Sequence, residues 1–340
     1  MAITISVLDQ SPIYPGETPE EAFRHTVKLA QLSERLGFRR FWVSEHHDSE
    51  QVAGSSPEVL ISHLLAKTET IRIGSGGVML QHYSPYKVAE NFNVLAALAP
   101  GRVDLGVGRA PGGLPRSTQA LQQGGGEAST LTDKIIQLEQ YVHNRLEAGH
   151  PLSGLKAGPL PGTPPQLYVL GASVASAEIA AGLGLPYVFS LFIGGDQAVA
   201  LEAVQAYRRS FDASSGKEPQ VIIALSVIVT DTEEEARELA GTQKLIRIQF
   251  AGGKKLTVVN REQAEEFTRQ SDEPFTLEEQ EPEITKGTKE SVRAQLLELA
   301  AASGVEEFIV TTNIQPFAKR ARSFELLSEA LAEVPAEASL

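Results

Sequence analysis

Apolar and polar positions alternate through Ile3-Thr4-Ile5-Ser6-Val7-Leu8 and give way to Asp9-Gln10, a pattern that predicts a short strand. Thr18-Pro19-Glu20-Glu21 then reads as a capping box with proline at the first helical position. It opens an amphipathic helix carried by Phe23, Val27, Leu29, Ala30, Leu32 and Leu36, and Gly37 closes it. The unit recurs. Arg40–Val43 predicts a strand, and Ser56-Pro57-Glu58 starts a helix that runs to Ala66. Strand Ile71–Met79 is followed by Ser84-Pro85 and a helix to Leu98. Strand Arg102–Val107 precedes a Gly- and Pro-rich passage to about Ser129, then helix Leu131–Leu146. The second half predicts strands at Gln166–Leu170, Tyr187–Leu191, Val221–Val229 and Glu307–Val310. Their helices are Ser173–Gly182, Asp196–Phe211, Glu233–Ile248 and Phe317–Leu331.

Eight such alternations with apolar strands predict a closed parallel (β/α)8 barrel, a TIM barrel, over residues 1–335, in preference to a two-domain α/β chain. Residues 251–287 break the rhythm with Gly252-Gly253, Lys254-Lys255 and an acidic run from Leu277 to Glu283. This long insertion before the last strand is expected as a lid over the face where the strands end, or as a flexible spacer.

Composition narrows the function. Lys and Arg total 30 against 43 Asp and Glu, a net charge of -13, which would repel a nucleic acid. With no cysteine, disulfides, thiolate zinc sites and a thiol nucleophile are excluded. The first basic residue is Arg24, and the longest apolar run, Val221–Val229, is far short of the roughly 20 residues of a membrane helix. A cytoplasmic protein without membrane attachment is the expectation.

In such barrels the chemistry sits at the C-terminal ends of the strands. Glu45-His46-His47 follows strand two, and Asp9-Gln10, Gln81-His82, Arg109 and Gly171-Ala172-Ser173 follow strands one, three, four and five. Adjacent residues of an extended chain point to opposite sides, so His46 and His47 are poorly placed to share an ion, and no HExxH spacing supplies a partner. No metal is expected. A proton-transfer role suits an imidazole facing the mouth, while a histidine bonded to a neighbouring carboxylate is the structural alternative.

Gly106-Val107-Gly108-Arg109 is not a dinucleotide fingerprint, because Pro111-Gly112-Gly113 forbids the immediate helix. Gly106 and Gly108 would let a flat ligand approach, or merely ease packing, and Arg109 suits a phosphate. Gly171-Ala172-Ser173-Val174-Ala175-Ser176 passes directly from strand to helix, an anion site at a helix N-terminus, or an N-cap alone. Gly74-Ser75-Gly76-Gly77 suits a bulge or unusual peptide beneath a ring system. Three small-residue approaches and a phosphate anchor outline a planar phosphorylated cofactor such as FMN.

The segments Phe41–His47, Ile71–Leu80, Gly101–Arg109 and Val310-Thr311-Thr312-Asn313, in this order, resemble the bacterial luciferase-like flavin monooxygenases, the single-subunit branch in particular. The resemblance spans nearly the whole chain. It implies a TIM barrel that takes reduced FMN from a flavin reductase and uses oxygen to oxidise a small organic substrate. By the same likeness His46 is the catalytic histidine, Arg109, Gly171, Ala172, Ser173 and Ser176 surround the phosphate, Gly76-Gly77 is a non-proline cis peptide, and the protein is a homodimer. Light-emitting members carry cysteine at the place of Gly108 and glutamate at that of Ala172, which argues against light emission from a long-chain aldehyde. A deazaflavin-dependent dehydrogenase on the same barrel and a non-catalytic flavin-binding protein are the alternative readings.

Overall fold

Thr18 opens the first helix as its sequence requires: Glu21 N–H donates to the Thr18 hydroxyl, and Thr18 N–H donates to the Glu21 carboxylate at 2.9 Å. The computed structural model describes residues 3–109, 113–123, 129–193, 195–241, 243–253, 255–258, 261–270 and 273–332. Its first half runs β1 (Thr4–Asp9), α1 (Pro19–Arg35), β2 (Arg40–Val43), α2 (Pro57–Leu65), β3 (Arg72–Met79), α3 (Pro85–Leu98), β4 (Val103–Gly108), α4 (Pro115–Leu121) and α5 (Leu131–Val142). The chain continues with β5 (Gln166–Gly171), α6 (Val174–Gly182), β6 (Tyr187–Ser190), α7 (Gln197–Ser210), β7 (Val221–Val229) and α8 (Glu233–Gly241). Then come β8 (Leu245–Phe250), β9 (Lys255–Val258), α9 (Arg261–Arg269), β10 (Phe275–Gln280), β11 (Ile284–Gly287), α10 (Lys289–Ser303), β12 (Glu307–Thr311) and α11 (Phe317–Leu331).

Parallel pairing runs β12-β1-β2-β3-β4-β5-β6, and β7 joins both β6 and β12, so the ring of eight strands closes as expected. The first part of β7 pairs with β6, and Ser226–Val229 pairs with β11 instead. Outside the ring, apolar faces of strands and helices form one large core. Inside it, Leu8, Trp42, Tyr168, Val188, Ile222, Ala224 and Ile309 interlock, with Trp42 and Tyr168 edge to face at 5.1 Å.

Arg40 lies two residues before Trp42 and so shares its inward face. Fully buried, it donates to Asp104 Oδ2 at 2.9 Å and to Glu307 at 2.5 and 3.2 Å, while Trp42 Nε1 donates to Asp104 at 3.0 Å and Arg72 reaches the other Asp104 oxygen at 2.5 Å. Charges that would be costly alone are thus neutralised by one another at the N-terminal end of the barrel.

Several boundaries differ from the sequence reading. The helix expected over Glu233–Ile248 ends at Gly241, and Leu245–Phe250 is a strand antiparallel to β10. The reason is local: Ile246, Ile248 and Phe250 are buried at alternate positions, a period of two and not 3.6. The insertion therefore begins earlier than residue 251 and is a folded unit, the sheet β10-β8-β9 with α9 upon it. Helix α10, capped by Thr288, was not expected, nor was α4 in the Gly/Pro-rich passage. Helix α5 stops at Val142, short of Leu146. Ser56 and Ser84 begin helices through the prolines that follow and make no side-chain cap bond. Ala110–Gly112, Lys254 and residues 333–335 of the expected domain lie outside the described residues.

Candidate active site

β2 ends at Val43, and the next residues turn their side chains to different partners. His46 Nδ1 lies 3.0 Å from Ser44 Oγ, and His46 N–H donates to Gly54 O at 2.8 Å. The ring is half-buried, and that burial, helped by His47, pushes its pKa down to about 4 against the opposing pull of Glu45. His46 is therefore neutral at pH 7, and its Nε2 has no partner among the described residues.

His47 has a different position. Its Nε2–H donates to Glu45 Oε1 at 2.8 Å, the carboxylate bond that was the structural alternative for this pair. Glu45 is completely buried and gathers two further donors, Tyr83 Oη at 2.8 Å and the Met79 backbone N–H at 3.1 Å. One carboxylate thus joins the end of β2 to the end of β3. Burial first, then the Glu45 charge, pushes the Tyr83 phenol well above its ordinary range, so it remains a donor. Lys134 of α5 stabilises the same loop, with Nζ donating to the carbonyls of Gln81 and Tyr83 at 2.9 Å each. Tyr83 and Lys134 escaped the sequence reading; the run after β3 drew attention only to Gln81-His82.

The Gly76–Gly77 peptide is cis, where the resemblance placed such a bond, and the register with β4 shifts between Gly76 and Val78. A Cβ on Gly76 would stand 2.7 Å from Leu8 Cδ1, and one on Gly77 would stand 2.8 Å from Gly106 O. Gly106 itself has no room for a ligand, because its missing Cβ would collide with the Ser75 carbonyl. Its smallness serves strand packing, and the close ligand approach expected there is corrected; at Gly108 a Cβ would make ordinary contact with Leu170 at 3.7 Å.

Asp9 also departs from expectation. It faces away from the barrel interior, opposite to Leu8, and accepts from Arg320 of α11 at 2.7 Å. It does not join the residues around the mouth.

Arg109 is exposed at the end of β4, and its guanidinium has no hydrogen bond or ion pair among the described residues. β4 and β5 are neighbours, with Val107 paired to Val169, so the chain positions of Arg109 and Gly171 follow adjacent strands. Exposed Ala172 and Ser173 follow, and Ser173 is the N-cap of α6. Ser176 N–H donates to Ser173 Oγ at 3.3 Å, and Ser176 Oγ donates to Ser173 O at 2.7 Å and lies 2.9 Å from Tyr187 Oη. A Cβ on Gly171 would collide with Ser176, which is why strand and helix can meet without a linker. Thus Arg109 and the Gly171–Ser176 turn follow the adjacent strands β4 and β5, Gly76 and Gly77 lie on β3 beside β4, and His46 follows β2 beside β3.

The model of the luciferase-like monooxygenase family matches residues 1–307. The chain belongs to this family. Among luciferase-like relatives, N-acetyl-S-alkylcysteine monooxygenase of Bacillus subtilis (strain 168) is 42% identical over 332 residues, covering 97% of this chain and 98% of that protein. The crystal structure of apo-MsnO8 is 33% identical with a TM-score of 0.78, covering 98% of this chain and 99% of that one. The oxygenating constituent of 3,6-diketocamphane monooxygenase from Pseudomonas putida, in complex with FMN, shares the fold at 17% identity and a TM-score of 0.69, over 97% and 98% of the two chains. Among the described residues, no group of three or more His, Cys, Asp or Glu could hold a metal ion, and no helix is long and apolar enough to cross a membrane.

Proposed function

We propose that this luciferase-like protein is a monooxygenase that receives reduced FMN from a flavin reductase and uses O2 to oxidise a small organic substrate. The observation that supports it best is the donor set at the ends of β4 and β5. A guanidinium with no partner among the described residues stands beside the N-terminus of α6, whose first N–H groups and macrodipole favour an anion. That set fits the phosphate monoester of FMN, with Arg109, Ser173 and the backbone of Gly171–Ser173 holding it and Ser176 fixing the turn. Gly76-Gly77, without side chains, would border the ring system.

Bound reduced flavin would supply the two electrons with which O2 places one oxygen atom in the substrate and releases the other as water. The chain supplies the proton handling. His46, neutral at pH 7 with Nδ1 engaged by Ser44, has Nε2 available to accept or return a proton at the mouth. The unit of β8, β9, α9 and β10 acts as the lid that excludes water, contacting Gln51 in the loop after β2 and Arg116 at the start of α4, while Gln243 just before it bonds Asn313 after β12. A homodimer in the cytoplasm completes the reading, and exposed Val59, Val94 and Leu98 on α2 and α3 offer an apolar face for it.

The 42% identical relative is named for N-acetyl-S-alkylcysteines, so a thioether of that class is the first substrate to try. The test is an anaerobic titration with reduced FMN, oxidised FMN and deazaflavin in parallel, followed by oxygen uptake with and without the thioether. Preferential binding of reduced FMN with substrate-linked uptake is expected. Tight deazaflavin binding without uptake would make it a dehydrogenase, flavin binding without turnover of any substrate a carrier, and binding of none would refute the flavin reading.

A further inference from the structure

The lid builds its own apolar core from Ile246, Ile248, Phe250, Ala264 and Phe267, with Leu256, Val258 and Leu277 around it. Among the described residues, one side chain joins that cluster from the barrel: Leu114, the N-cap residue of α4. Two residues further on, Arg116 N–H donates to Gln270 Oε1 at 3.0 Å, and Gln270 Nε2 donates to Glu266 Oε1 at 2.7 Å, which orients the acceptor. The lid thus has an apolar and a polar anchor on the same turn. Further hydrogen bonds to the barrel run from Gln263 to Gln51 at 3.4 Å and, just before β8, from Gln243 to Asn313 O at 3.1 Å.

One residue before Leu114, the chain presses on the candidate active site. A Cβ on Gly113 would stand 2.8 Å from the His47 carbonyl oxygen and 2.9 Å from His47 Cβ. Ser117 Oγ, which donates to Leu114 O at 2.8 Å, confines it on the other side at 2.5 Å. Gly113 thus packs directly against His47 with no space for a side chain, which couples the position of Leu114 to His47, and His47 is bonded to Glu45.

We infer that Leu114 is a positioning residue: it seats the lid and, through Gly113, sets where His47 meets Glu45. The position of the lid is thereby registered at the strand end that bears His46. The inference rests on reading this mouth as the active site, but its test needs no flavin, so the two can fail separately.

The experiment compares Leu114→Ala, Leu114→Met and Gly113→Ala in the full chain. Hydrogen exchange is followed across 245–280, together with the imidazole C–H signals of the seven histidines, with His47 assigned by His47→Gln. Leu114→Ala is expected to speed lid exchange by about tenfold or more and to shift the His47 signal, with β1–β4 unchanged. Leu114→Met, similar in volume, should restore both. Gly113→Ala, with Leu114 intact, should shift the His47 signal and also speed lid exchange. Leu114→Ala leaving lid exchange at the wild-type rate would overturn the seat. A faster lid with an unmoved His47 signal would overturn the coupling, as would a shifted His47 with an unaltered lid in Gly113→Ala. Should Leu114→Ala fail to fold, Leu114→Val carries the same readouts in graded form.

Discussion

His47 Nε2 stands 2.8 Å from Glu45 Oε1, and this contact gives two adjacent histidines different surroundings. His47 is committed to a buried carboxylate, which Tyr83 and the Met79 N–H also approach. Among the described residues the His46 ring has a neutral hydroxyl, Ser44 Oγ, as its hydrogen-bond partner, and burial holds it in its neutral form. His47 is thus tied to the buried framework, whereas His46 keeps Nε2 without a partner among the described residues.

The depressed His46 pKa has a consequence for stability. With about 4 in the folded chain and about 6.5 unfolded, the unfolded state binds more protons between these values. Stability from this group is therefore complete above about pH 6.5 and is lost as pH falls toward 4, with a slope of at most about 1.4 kcal/mol per pH unit. Urea unfolding from pH 7 to 4 should show a shallower decline for His46→Gln than for the wild type. Parallel curves would mean that the folded ring titrates normally.

Turnover should depend on the same ring. His46→Ala is expected to lower kcat by about 10²- to 10⁴-fold, the usual worth of a positioned proton carrier, with reduced FMN affinity changed by less than about threefold. Stopped-flow turnover beside equilibrium flavin titration separates the two. Equal loss of both would make His46 a binding residue.

The proposed phosphate donors can be tested without chemistry. Arg109→Ala is expected to weaken FMN by about 10- to 100-fold, in keeping with the roughly 1.5–3 kcal/mol of a charge-assisted hydrogen bond, while riboflavin, which lacks the phosphate, binds as before. Fluorescence titration of both flavins gives the answer. Loss of riboflavin binding as well would place Arg109 at the ring or in the fold.

At the other end of the barrel, Arg40→Met would leave Asp104 and Glu307 buried without their shared partner. Removing one member of such a group costs about 3–5 kcal/mol, to be read from the urea midpoint. Arg237→Met, which breaks the exposed pair with Glu234, should be nearly silent. Similar effects from the two would show that the buried network contributes no more than a surface pair.

Much of this was legible from local pattern. Thr18 and Glu21 form the capping box that their spacing announces, and Ser173 caps α6 as its place before an apolar run requires. Strand β8 was legible too, in the alternation of Ile246, Ile248 and Phe250, but the acidic helix before it carried the 3.6-residue reading past Gly241. The direction of Asp9 was not legible, because a strand end offers two faces and only the meeting with Arg320, 311 residues away, selects one.

By itself the sequence determined the order of the eight barrel strands and hence which residues follow their ends, since periodicity and caps act over a few residues. That was enough to bring His46, Arg109 and the 171–176 turn to one rim. Only the tertiary structure decided that Glu45 gathers Tyr83 and Met79, 38 and 34 residues away, and that Leu114 enters the apolar core of the inserted unit. Those contacts form between segments that no local pattern links, and burial then fixes which donor each acceptor receives.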